Sequence, residues 1–132
     1  MNLLPLNRRG VYLVDAVGSF LLGAAMILSA DPLAALLGPA LPAGALFAVG
    51  AGLLPWAAFN AWIGLRGSFP SRAVTLNVAG DGIWVLASLV LIASAGPALA
   101  PAGLATVGGL AGAVAIIGLI KASGLARAHA TA

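Results

Sequence analysis

Of 132 residues, 62% are hydrophobic and 7% charged, and there is no cysteine; a water-soluble domain, with ~25% charged residues, is excluded, as are a disulfide framework and thiolate metal sites. The net charge of +3 and pI of about 10.8 do not indicate a nucleic-acid partner, because the basic residues form no cluster or stripe. The mean hydropathy of +1.13 is spread over the whole chain, so the lipid bilayer is its expected solvent.

Four runs free of basic residues are each long enough to cross a hydrocarbon core, which takes about 20 helical residues: Val11 to Ala30, Ala43 to Leu65, Ala73 to Ala95, and Ala102 to Ile120. The first comes after Arg8 and Arg9 and ends in small residues, like a signal peptide. Its apolar part is too long for one, so it reads as a retained helix. Next, Asp31-Pro32 reads as an N-cap with proline at the first helical position, and Gly38-Pro39 ends the segment begun there. Leu33 to Leu37 is then a short turn at the outer surface. Ser71 is placed to cap the third span, Gly96-Pro97 marks a turn, and Pro101 starts the fourth span. Short connections make sequential spans antiparallel neighbours. The expected fold is a single all-α domain over residues 1–132, an integral membrane four-helix bundle of antiparallel up-down topology.

Sidedness can be read from charge. Arg8 and Arg9 precede the first span, Arg66 and Arg72 bracket the second connection, and Lys121 and Arg127 come after the fourth span. Positive charge in short loops marks the cytoplasmic side, which puts both termini there; the expected membrane is a bacterial inner one. All six basic residues are read here as topology signals.

Helices find little hydrophobic drive to associate in lipid, so small residues mark contact faces. Gly108 and Gly112 in the fourth span, and Gly44 and Gly52 in the second, are the expected ones, either inside the bundle or between copies.

Polar residues inside the spans are expensive and call for a reason. They are Asp15, Ser19, Asn60, Asn77, Asp81 and Ser88. At ~1.5 Å per residue, Asp15 and Asn60 lie roughly 9 Å in from the nearest arginine, Asn77 about 7.5 Å and Asp81 about 13 Å. Asn77, Asp81, Trp84 and Ser88 share one helical face, and Asp15 and Ser19 form a similar pair. These faces are expected to meet Asn60 inside the bundle. Asp81, with no lysine or arginine in any span to neutralise it, is expected to be protonated or hydrogen-bonded to Asn77 or Asn60. Trp56 and Trp84 fall near mid-membrane, as packing groups or as the lining of an apolar ligand site. Tyr12, Trp62 and Phe69 read as interface anchors.

No enzyme is expected. There is no glutamate, the single histidine, His129, lies in a polar tail, and a catalytic serine, haem or zinc would lack partners. No cofactor or metal is called for.

The stretches Asp81-Gly-Ile-Trp84-Val-Leu-Ala-Ser88 and Asp31-Pro-Leu-Ala-Ala-Leu-Leu-Gly38 resemble those of small four-helix bacterial inner-membrane proteins of unassigned function, in which asparagine often precedes the tryptophan. Small multidrug transporters have a similar size but depend on a membrane glutamate in their first helix, for which Asp15 would have to substitute. Two functions are expected: an accessory or self-assembling subunit acting through helix packing, in a homo-oligomer or larger membrane complex, or a proton-linked transporter or ion-conducting oligomer built around Asp81 and Asp15.

Overall fold

The structure is a computed structural model and describes residues 7–130. Every element is helical: α1 (Arg8–Leu28), α2 (Ala30–Leu37), α3 (Ala43–Arg66), α4 (Ser71–Ala95), a 3-10 turn (Gly96–Ala98) and α5 (Pro101–Ala130). Four of them, α1, α3, α4 and α5, are long and apolar enough to cross a membrane. Their outer faces carry large apolar side chains such as Leu28, Ile83 and Leu119, which are 84%, 67% and 70% exposed. Water would penalise such a surface, and lipid tails would cover it.

Local chemistry sets most of the ends. The Asn7 side chain accepts from the Gly10 N–H at 2.7 Å and caps α1, satisfying one of the free donors of the first turn. Gly67, at φ 72°, closes α3 in the left-handed conformation that glycine adopts without steric cost. Two expected caps are corrected. The N-cap of α2 is Ser29, so Asp31 lies in the first turn, where its charge favours the helix dipole. The N-cap of α4 is Pro70, so Ser71 is the first helical residue and makes no capping bond. Pro101 does open α5, which runs well past Ile120.

Helix α1 packs on α3 by close backbone approach: a Cβ built on Gly23 would lie 2.9 Å from the Gly50 carbonyl oxygen, and one on Gly50 would lie 2.8 Å from that of Gly23. Nearer the other end of the pair, Gly64 meets Tyr12 and Leu13. Helix α5 meets α4 where Gly118 faces Asp81. The glycines singled out from sequence behave otherwise. Among the described residues, a Cβ on Gly44, Gly52 or Gly112 would meet nothing within 4 Å, and one on Gly108 would just reach Ile92 at 4.0 Å.

At one end of the bundle Arg8 lies over the Phe69 ring, 4.3 Å from its centre, and against Gly124. The start of α1, the α3–α4 connection and the late turns of α5 therefore converge. At the opposite end the Ala100 N–H donates to the Leu37 carbonyl at 2.9 Å and the Ala40 N–H to that of Ala98 at 3.0 Å. Apolar clusters fill both ends: Val11, Tyr12, Ile63 and Val74 near the first, and Met26, Leu37, Leu46 and Leu53 near the second.

Candidate functional site

One side chain organises the polar interior, and the expectation from charge placed it elsewhere. Lys121 is 2% exposed and its Nζ lies 2.5 Å from Asp15 Oδ2, 2.7 Å from Asn77 Oδ1, 2.9 Å from Asp81 Oδ2 and 3.0 Å from Asn60 Oδ1. Four helices thus converge on one ammonium. Two expectations are overturned: Lys121 is not a solvated residue after the fourth span, and Asp81 does have a basic neighbour within the bundle. A lysine stem is long and flexible enough to carry its charge several ångströms along the helix axis, and here it reaches inward.

The side chains arrive by simple helical spacing. Asp15 and Ser19 stand one turn apart on α1, and the Ser19 hydroxyl donates to Asp15 Oδ1 at 3.1 Å. Asn77 and Asp81 also stand one turn apart on α4, and each accepts separately from Lys121. On α5 the stripe Leu110, Val114, Ile117, Lys121 runs i, i+4, i+7, i+11, which lays the ammonium on the face that looks into the bundle. Asn60 turns its carbonyl to Lys121 and its amide to the Trp56 carbonyl at 3.2 Å. The sixth predicted member, Ser88, stays apart and donates to the Trp84 carbonyl at 2.8 Å on its own helix. Tyr12 is also corrected: it is a core residue, 1% exposed, with Lys121 Nζ 5.1 Å from its ring centre. Trp62, 42% exposed with Arg66 over its ring, has the exposure of an interface anchor.

Charge and donor counts leave the cluster unbalanced. An ammonium has three protons, fewer than the four oxygens around it, and two ionised carboxyls against one ammonium leave one net negative charge. In a medium of low dielectric such an excess is costly until a cation or a proton cancels it. Among the described residues, Asp81 accepts through Oδ2 alone, leaving Oδ1 without a hydrogen bond. The buried Asn77 Nδ2, Tyr12 hydroxyl and Trp84 Nε1 also lack partners.

A cavity of about 530 Å³ adjoins the cluster, with walls from all four long helices. Its polar wall is formed by Asp15, Ser19 and Asp81, with Trp56 and Trp84 beside them, whereas Lys121, Asn60 and Asn77 do not line it. The cavity therefore meets the acidic side of the cluster and has the cation behind it. A smaller cavity of about 180 Å³ continues past Trp84 toward Met26 and Leu37. Comparison with protein families, curated proteins and solved structures finds no match to this chain.

Proposed function

We propose that this chain is a multi-pass protein of a bacterial inner membrane that works as a proton-linked transporter, with Asp15, Asp81 and Lys121 as its proton-binding centre. The observation that carries this reading is the single buried ammonium shared by carboxyls of α1 and α4 at the wall of a cavity. Intramembrane ionisable groups mark ion and proton paths, and this cluster becomes neutral on taking up one proton. In this reading the helices run up and down, antiparallel, with both termini cytoplasmic. The convergence of Arg8, Phe69 and Gly124 at one end supports that arrangement, and Arg9, Arg66, Arg72 and Arg127 still mark that side after Lys121 is withdrawn from the charge asymmetry.

The test is infrared difference spectroscopy of the protein in lipid nanodiscs over the pH range in which it stays folded. A protonated-carboxyl band is expected to appear on acidification in the wild type. It should be missing in Asp81→Asn, because Asn keeps an acceptor for Lys121 and leaves one carboxyl against one ammonium. A wild type that shows no such band, or a band unchanged by Asp81→Asn, would sink the reading.

A second reading, a self-assembling or accessory subunit, draws on the open surface at Gly109 and Gly112 of α5. Small residues on a lipid-facing helix let a second helix approach closely, so a homo-oligomer or a larger membrane complex fits that face. The two readings are compatible, since four helices are a small enclosure for a transport path.

A further inference from the structure

The geometry points to a lipophilic organic monocation as the ligand of the 530 Å³ cavity, bound by Asp15 and Asp81 in place of the proton that otherwise neutralises them. This inference rests on the proton linkage proposed above. The volume lies within the ~300–1,000 Å³ typical of small-molecule sites, and apart from the two carboxyls and Ser19 the walls are aliphatic or the rings of Trp56 and Trp84.

Sign is decided by what faces the cavity. An anionic ligand would meet two carboxyls, while the ammonium that might attract it lies behind them with more acceptors than protons. A small inorganic cation would find two carboxyls and then apolar walls where its remaining oxygen ligands must be. A neutral apolar molecule would gain nothing from the two carboxyls and would bind with the neutralising proton still in place. A delocalised organic cation answers all three: its body replaces lipid contacts, its charge balances the carboxyls, and indole faces attract it. Val14 and Ile83 on the cavity wall are 49% and 67% exposed, so such a ligand can enter from the bilayer, where it partitions.

Cation and proton then compete for one charge. Of the titratable groups, Asp15 from α1 and Asp81 from α4 line the cavity; behind them stand Lys121 from α5 and Tyr12 from α1, and α3 brings the neutral Asn60 to Lys121. Mass action sets the sign: if one proton leaves for each cation bound, affinity rises with pH, by up to about tenfold per unit.

The experiment tracks tryptophan fluorescence of the Trp62→Phe protein in lipid nanodiscs as methyltriphenylphosphonium is added, with empty nanodiscs as the blank and triphenylphosphine oxide as a neutral probe of similar size. Binding of the phosphonium at least tenfold tighter than the oxide, with an affinity that climbs as pH rises, is expected. In Asp81→Asn the pH slope should flatten and the preference for the cation should shrink. Equal affinities for the two probes, or a phosphonium affinity that ignores or falls with pH, overturns the inference. If the infrared band is present in that case, proton linkage survives and only the ligand class is wrong; if the band is missing too, both fall. Should Asp81→Asn fail to fold, the wild-type slope and probe preference decide alone.

Discussion

Helices α1 and α3 form one kind of pair and α4 and α5 another. Within their most apolar 18-residue stretches, 39% of α1 and 33% of α3 are buried, against 6% for α4 with its adjoining turn and 17% for α5. The first pair is joined by glycine against glycine, backbone to backbone, over apolar contacts. The second pair shows most of its surface outward and meets the first through Lys121 to Asp15 and Asn60, Trp56 in the space above Gly80, and Val74 against Val11, Tyr12 and Ile63, while the Ala100 backbone is tied to Leu37 of α2. The lesson is a division of labour. Close packing in the first pair gives a fixed wall, and the second is held against it by the apolar cluster around Val74 together with polar links, with the cavity between them.

The largest test of that contrast removes the central link. Lys121→Met leaves Asp15 and Asp81 unpaired in the interior, and breaking a buried ion pair from one side costs about 3–5 kcal/mol. Unfolding in mixed micelles should show a loss of that size, and a loss below about 1 kcal/mol would mean that the pairs are held together without the ammonium.

A smaller effect is expected inside the tight pair. Gly50→Val forces side-chain atoms against the Gly23 carbonyl and Met26, and overpacking of this kind costs about 1–3 kcal/mol. The same measurement checks it. Unchanged stability would show that α1 and α3 can separate as freely as the other pair.

Smallest in stability, but sharpest for the second reading, is Gly112→Leu. No described residue lies within 4 Å of a Cβ there, so monomer stability should change by less than about 0.5 kcal/mol. Oligomer size by native mass spectrometry in mild detergent should nevertheless fall. A constant oligomer size would show that this face of α5 meets only lipid.

The spans were legible because hydropathy acts through length, and length is written directly in the chain. So was most of the polar cluster, since Asp15, Asn60, Asn77 and Asp81 fall at similar depth and on shared faces. Lys121 was not legible from charge placement, because counting basic residues at span ends records where a Cα lies and ignores a stem of four methylenes. A signal did exist: Lys121 continues the i, i+4, i+7 stripe from Leu110, and two aspartates in the spans wanted a counter-charge. The glycines that join α1 to α3 were not legible for another reason. Gly23 and Gly50 carry no local mark that separates them from Gly44 and Gly112 in a chain with eighteen glycines, and only the docking of two helices tells them apart.

The two backbone hydrogen bonds at the far end, Ala100 to Leu37 and Ala40 to Ala98, have a mechanical consequence. They use main-chain atoms, so neither pH nor a bound ion alters them, and they tie the start of α5 to the end of α2 as a pivot. At the opposite end, among the described residues, the side-chain hydrogen bonds that cross between the pairs are those of Lys121. The two ends therefore differ in kind: one is tied by main-chain atoms, and at the other an ammonium adds a charged link to the apolar contacts of Val11, Tyr12, Ile63 and Val74, so whatever neutralises the carboxyls weakens that one link and leaves the far end as it was.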